Sequence, residues 1–386
     1  MVAQPPGTEC DLCHHPRGCL TGSRSDKKLI VVGMSGGVDS SVTAALLREA
    51  GHEVIGATMR IWDGEPAPRF SRRQCCYGPD EAKADDVRRV ARELGIVHYE
   101  FNLATEYREH VLAYFREEYA RGRTPNPCMV CNQRVKFGFL VDRLTACGLR
   151  FDLFATGHYA RVVFDPEAGR FLLKRGLDRR KDQSYFLAFL SQAQLARVIF
   201  PLGERTKEEV RLLACRMGLS VAGKKDSQDF ADAGHPTLFE QSPGPGPILD
   251  DRGREIGKHR GIHRYTIGQR RGLAIGSPHP LYVLAIDAGR NAIIVGPREQ
   301  ARKSEFVAEG VNWVEPGGIA ESRWVRVKIR HNHPEARAAV TALGADRVRV
   351  VFDEPQFAIT PGQAAVFYDS DTVIGAGTIS TVPGEI

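Results

Sequence analysis

Apolar residues first fall into a regular pattern at Leu29. Leu29 to Val32 is a short apolar run, Gly33 to Ser41 is rich in glycine and serine, and Val42, Ala45 and Leu46 return at helical spacing. That order predicts strand, loop and helix. Val54 to Met59 reads as a second strand and Val97 to Phe101 as a third, separated by a helix over Pro79 to Leu94 with Val87, Val90, Ala91 and Leu94 on one face. A helix over Thr105 to Arg121, a loop carrying TPNPCMVCN, a helix over Val135 to Leu149 and a strand over Phe151 to Ala155 follow. Strands alternating with helices predict a parallel α/β sheet.

Past about residue 200 the pattern changes. Thr206 to Met217 reads as a helix, and Gly234 to Asp251 is rich in Pro, Gly and polar residues, which makes it a candidate connection or mobile lid. Short β-rich runs then recur at Leu281 to Ile286, Ala292 to Val295, Trp324 to Ile329, Arg347 to Phe352 and Ala364 to Phe367. Their spacing predicts an antiparallel barrel or sandwich. Residues 1 to 27 lack apolar periodicity and read as a flexible extension.

Composition narrows the class. With 42% hydrophobic and 26% charged residues among 386, a folded multidomain protein is expected rather than a disordered or fibrous one. No apolar run reaches the roughly eighteen residues of a membrane span, and the N-terminus does not read as a secretory signal, so a cytoplasmic address is expected. The formal charge of +6 is mild, but basic residues cluster at Arg121, Arg123, Arg134 and Lys136, at Lys174 to Lys181, from Arg252 to Arg271, and at Arg323, Arg326, Lys328 and Arg330. These clusters suit either a solvated surface or a phosphate-binding one. The nine cysteines include the spacings Cys10-x2-Cys13 and Cys128-x2-Cys131. In this context they read as thiols, metal ligands or catalysts rather than as a disulfide framework. Cys147 and Cys215 fall on predicted helices and are expected to be buried.

The sharpest motif is SGGVDSS, Ser35 to Ser41, between the first strand and the first helix. Glycines let the backbone curl so that several N–H groups converge, and the positive end of the following helix adds attraction for phosphate. No Gly-Lys-Ser/Thr follows, so it is not a Walker loop. It resembles the pyrophosphate-binding loop (PP-loop) of ATP-pyrophosphatases, which cleave ATP between the α and β phosphates. A turn that needs glycine only for its geometry is the alternative. Met59 and Gly157, at or just after strand ends, are placed to touch a nucleotide; core packing and a simple turn are their alternatives.

Further segments sharpen the match. TPNPCMVCN with VKFG, ATGHYARV, KDQSYFL, EIGKHRGIHRYTIGQRRGL and TPGQAAVFYD, in this order from Lys28 to about Thr381, resemble the tRNA-specific 2-thiouridylases. The resemblance implies an ATP-pyrophosphatase domain over 28–203, a central tRNA-contacting domain over 204–276 and a C-terminal β-barrel over 277–386. It implies ATP binding by Gly33, Met34, Ser35, Gly36, Gly37, Val38, Asp39, Ser40, Met59 and Gly157, and target-base contact by Asn126, Pro127 and Cys128. Cys131 takes the nucleophile's position, with Cys128 as its candidate catalytic partner. His158, Lys181, Asp182, Gln183, Arg330, His331 and Gln363 would contact tRNA. The implied reaction adenylates O2 of the wobble uridine and replaces that oxygen with sulfur. It would use ATP and Mg²⁺, tRNAs of the Lys, Glu and Gln isoacceptors, and a sulfur-donor protein or sulfide.

The chain departs from the family in one segment. The family's second cysteine, in DSQ-x-x-C, falls at Ala231 within DSQDFAD. Cys128 stands where the family generally has aspartate, so it forms a CxxC pair with Cys131, suited to persulfide chemistry or to part of a metal or iron–sulfur site. Cys10, Cys13 and Cys19 in the N-terminal extension, or Cys75 and Cys76, are candidate further ligands. Two other readings stay open: an ATP-pyrophosphatase that thiolates or amidates another substrate, and a tRNA-binding paralogue with impaired catalysis.

Overall fold

The computed structural model describes residues 27–62, 81–225, 244–315, 317–319 and 321–383. Its first layer is a parallel sheet in the order Val97–Asn102, Glu53–Arg60, Leu29–Gly33, Leu153–Ala155 and Val198–Ile199. The central strand alternates its side chains between two cores, as the period of two requires. Ile30 and Val32 pack with Val42 and Leu47 of the helix Val38–Glu49, whereas Val31 packs with Phe154, Val135 and Leu140 on the opposite face. A sheet covered on both faces explains why its strand is an unbroken apolar run.

The helix Lys207–Arg216 places Val210 and Ala214 in the same core as Val42 and Leu47. The first unit therefore extends beyond residue 203, where the sequence suggested a boundary. Cys215 lies on this helix but faces outward, and Cys147 caps the helix Leu140–Ala146; both are exposed, contrary to expectation.

The segment TPNPCMVCN, expected as a loop, is one only as far as Asn126. Pro127 opens the helix Pro127–Val130, which runs on through a π-helical stretch, Cys131–Phe139, into Leu140–Ala146. Proline suits a first helical position because its missing N–H would be unpaired there anyway. The helix thus starts eight residues before the expected Val135, and both cysteines sit on it.

Four strands form a second sheet, ordered Tyr282–Asp287, Ala292–Gly296, Gly246–Leu249 and Glu255–His259. Gly246–Leu249 is a strand rather than part of a lid; the earlier part of Gly234 to Asp251, up to residue 243, lies outside the described residues. The pair Tyr282–Asp287 and Ala292–Gly296 belongs to this central unit and not to the barrel, so the expected boundary at 277 falls inside it. Both regions are β-rich, and alternation alone cannot assign a strand to a sheet.

The third sheet runs Arg302–Trp313, Arg347–Phe357, Ala336–Ala342, Ser322–Lys328, Ala364–Asp369 and Thr372–Thr381, and Arg302–Trp313 also pairs with Thr372–Thr381 to close a barrel. The hairpin of Ala160–Asp165 and Arg170–Arg175 joins this sheet through Lys174 opposite Thr372. The first unit thereby lends two strands to the C-terminal sheet.

Candidate nucleotide and target-base sites

Gly33 ends the central strand, and Gly37 caps the N-terminus of the twelve-residue helix Val38–Glu49. Between them Gly36 adopts φ +70°, a left-handed conformation that favours glycine. The loop is pinned at its start, where Met34 N donates to Ala57 O at 2.8 Å and Thr58 Oγ1 donates to Met34 O at 2.8 Å. Its own serines fold it: Ser35 N donates to Ser40 Oγ at 3.2 Å, and Ser41 Oγ donates to Gly37 O at 2.8 Å. Met34 and Val38 are buried and Met59 is half-buried at the end of the adjoining strand, so Met34 and Val38 have backbone rather than side chains to offer a ligand. Helix N-termini with converging N–H groups attract phosphate.

Gly157 follows the strand Leu153–Ala155 and lies directly on this helix start. A Cβ there would stand 2.7 Å from the Asp39 carbonyl carbon and 2.8 Å from Ser40 N. Close approach, not a mere turn, requires the glycine. Asp39 accepts from Tyr159 Oη at 2.8 Å and from Lys207 Nζ at 2.7 and 2.9 Å. Lys207 is buried, and its helix start is fixed by reciprocal Thr206 and Glu209 hydrogen bonds. Tyr159 sits inside ATGHYARV and could have been singled out by its proximity to Gly157. Lys207 carried no such signal, because only folding brings its helix against Val38–Glu49.

The second site is built from distant segments around Tyr185. The Asn126 side chain hydrogen-bonds the Tyr185 hydroxyl, which donates to Ala364 O at 3.0 Å. Gln363 Nε2 donates to Thr124 O at 2.9 Å and Pro125 O at 3.2 Å, and Thr124 N donates to Pro361 O at 2.8 Å. The TPGQ turn of the barrel therefore holds the TPNP loop, and Gln363 acts on Asn126 through the backbone. The central unit joins in through Thr124 Oγ1, which donates to Thr266 Oγ1 at 3.4 Å. The His331 ring lies 4.4 Å from that of Phe186, and its buried Nδ1 has no hydrogen-bond partner among the described residues. Arg330 Nη2 donates to Phe357 O at 3.0 Å; burial lowers its pKa, yet a guanidinium stays charged.

Cys131 is a buried thiol, and Cys128, one helical turn earlier, is half-buried. Their helix turns toward the nucleotide loop further on. Phe137 packs its ring 5.8 Å from His158, the neighbour of Gly157, and 5.7 Å from Phe154. Loop and cysteine helix thus share the carboxyl edge of the parallel sheet, where ligands of such folds bind.

Comparison with known proteins decides the family. Family models match residues 28–231 as "tRNA methyl transferase HUP domain", 238–297 as "tRNA methyl transferase PRC-barrel domain" and 303–379 as "Aminomethyltransferase beta-barrel domain". A protein of Moorella thermoacetica named tRNA-specific 2-thiouridylase MnmA is 47% identical over 360 residues, covering 91% of this chain and 99% of that one. One of the same name from Geobacter metallireducens is 48% identical over 368 residues, covering 93% and 98%. The chain belongs to the tRNA-specific 2-thiouridylase family.

Against the expectations for a 2-thiouridylase, several residues are placed differently. Asp182 is buried and turned inward: its Oδ1 accepts from Gly176 N and Ser184 N at 3.1 Å each, and Oδ2 accepts from Ser184 Oγ at 2.9 Å. It organises the turn rather than facing RNA. Gln183 Oε1 accepts from Tyr159 N at 3.0 Å, while Lys181 is half-exposed. His158 is packed between Phe137 and Phe200; burial first and Lys136 second hold its pKa well below the usual value, so it offers no positive charge at neutral pH. The basic clusters are partly consumed by internal pairs: Arg175 with Asp182 and Glu335, Lys174 with Asp371, Arg323 with Glu315 and Asp369. Arg260, Arg264, Arg270 and Arg271 of the central unit are exposed.

No group of three His, Cys, Asp or Glu that could hold a metal occurs among the described residues. Cys128 and Cys131 alone do not complete an iron–sulfur site, and Cys10, Cys13, Cys19, Cys75, Cys76 and Ala231 lie outside the described residues. No described helix is long and apolar enough to cross a membrane.

Proposed function

We propose that this protein is a tRNA-uridine 2-sulfurtransferase that uses ATP to convert the wobble uridine, U34, to 2-thiouridine, releasing AMP and pyrophosphate, and that it works in the cytoplasm. The observation that carries this reading is the shared sheet edge, with Gly157 packed on the pyrophosphate loop and the cysteine helix packed beside it through Phe137.

The chemistry follows from the substrate. Oxide is a poor leaving group, so the uracil C2 carbonyl must be activated. O2 attacks the α-phosphorus of ATP as N3 loses its proton, and pyrophosphate departs into the loop of Ser35 to Ser40 and the helix N-terminus behind it. Magnesium, when bound, would screen the charge of the triphosphate. Asn126 presents both donor and acceptor to a base turned out of the anticodon loop, and Arg330, Lys181 and the exposed arginines of 260–271 engage RNA phosphates.

Sulfur arrives as a persulfide on Cys131, delivered by a sulfur-donor protein. The terminal sulfur attacks C2 and AMP leaves. Cys128 thiolate then attacks the Cys131 sulfur, releasing the thiocarbonyl and forming a Cys128–Cys131 disulfide, which an external dithiol reduces. Residues one helical turn apart are neighbours on a helix surface. Together Cys128 and Cys131 replace the sulfur chemistry that a persulfide-carrying cysteine at Ala231 would supply.

Incubation with ATP, a persulfide donor and a tRNA carrying U34 tests the proposal. AMP and 2-thiouridine at position 34 are expected in equal amounts, with neither formed on a tRNA carrying C34. Sulfur at another position would identify a different thiolase, and tRNA binding without AMP would identify a catalytically impaired binder.

A further inference from the structure

The nucleotide loop carries a second lysine contact, outside the residues considered so far. Lys224 Nζ donates to Gly36 O at 2.9 Å, inside the loop, and to Asp86 Oδ2 at 2.5 Å on the helix Glu81–Leu94. The lysine is held in place by its own backbone: Lys224 N donates to Val221 O at 2.9 Å, and Lys224 O accepts from Arg211 Nη1 at 3.2 Å. Its side chain keeps 33% exposure.

The local charges are unequal. Lys207 is matched by Asp39, since its Nζ donates to both carboxylate oxygens. Asp86, in contrast, is bound by two cations, Lys224 and Arg89, and Arg89 Nε also donates to Ser220 Oγ at 2.8 Å. Burial pushes the Asp86 carboxyl up, but Lys224 and Arg89 together hold it below the usual carboxylate range, so it is ionised. Two positive charges against one negative leave a surplus cation touching a loop that is shaped for a polyanion. Because Arg89 stays on Asp86, Lys224 can leave that carboxylate without stranding it.

We infer that Lys224 is a phosphate-binding residue of the nucleotide site, transferring its ammonium from Asp86 to the pyrophosphate portion of bound ATP while Gly36 O keeps it on the loop. The inference rests on the reading of Ser35 to Ser41 as a pyrophosphate loop, and deepens it. Asp86 is then a resting partner that competes with the ligand. A purely structural Lys224–Asp86 pair predicts that breaking either side does the same damage. The phosphate role predicts opposite signs.

Calorimetric titration of the full chain with inorganic pyrophosphate and with ATP distinguishes them. Lys224→Met is expected to weaken pyrophosphate about tenfold, as loss of one charge-assisted contact does. Asp86→Asn should tighten it about threefold, and the double variant should lose that gain, since the gain exists only through Lys224. Lys224→Arg should retain most of the affinity, and it keeps the test decisive if Lys224→Met melts early. Equal weakening by Lys224→Met and Asp86→Asn with matched losses of melting temperature overturns the inference, as does unchanged affinity in Lys224→Met. A gain from Asp86→Asn that persists in the double variant also overturns it, as a general charge effect. Wild-type protein that binds neither pyrophosphate nor ATP refutes the loop reading itself, and the inference with it.

Discussion

The proposed nucleotide loop and the proposed target-base site are built in opposite ways. The loop is eight consecutive residues, Gly33 to Ser40, on one strand-to-helix turn, closed by hydrogen bonds between near neighbours such as Ser35 with Ser40. The proposed base site is assembled from Asn126, Tyr185, His331 and Gln363, on distant segments joined where the barrel's TPGQ turn docks on the TPNP loop and where His331 packs on Phe186. A local site fails when its own backbone is disturbed, whereas an assembled one fails when any of its distant supports moves. Damage to the first should therefore appear in ATP use, and damage to the second in tRNA use.

The sharpest break is expected at Asp39. Asp39→Ala removes the carboxylate that Lys207 and Tyr159 hold at the helix start, and AMP formation should fall about a thousandfold while tRNA affinity is retained. Quenched-flow assay of AMP alongside filter binding of tRNA checks both halves. Gly157→Ala should cost about a hundredfold in AMP formation, because the new Cβ collides with backbone atoms that cannot turn aside. Equal losses in tRNA affinity would mean the two sites are not separable.

On the other side, Gln363→Leu strips the amide from two carbonyl oxygens of the TPNP loop. A loss of roughly 2 kcal/mol is expected, about thirtyfold in kcat/KM for tRNA with KM for ATP unchanged. A rise in the KM for ATP instead would contradict the division. The smallest effect is expected at Lys181, where Lys181→Ala should lower the salt dependence of tRNA binding by about one ion. Arg330→Ala should do more than that, since it also removes donors to Phe357 O and Ala358 O.

The same contrast governs what could be read without coordinates. SGGVDSS lies in sequence as it lies in space, so the strand, loop and helix of the nucleotide site were legible. Gln363 and Asn126 were legible as separate motif members, but not that one amide holds the other's loop. Tyr185 lies within KDQSYFL, where a tyrosine in an apolar run reads as core, although its hydroxyl sits between Asn126 and Ala364. Asp182 was named through the resemblance alone, and nothing in the sequence around it signals that three donors draw its carboxylate inside. The start of the cysteine helix is hidden in sequence because Pro127 and two cysteines resemble a loop, although proline is at ease in a first helical turn. The Gly246–Leu249 strand was hidden by its glycine and proline, which in isolation signal a turn.

The most direct test is to follow AMP and 2-thiouridine together in Cys131→Ser, supplied with ATP, tRNA and a persulfide donor. The nucleotide loop is intact in this variant and only the sulfur nucleophile is lost. Water then takes the place of sulfur at the adenylated C2 and regenerates uridine, so AMP release in the presence of tRNA with no 2-thiouridine is the expected result, and 2-thiouridine formation at the wild-type rate would contradict it.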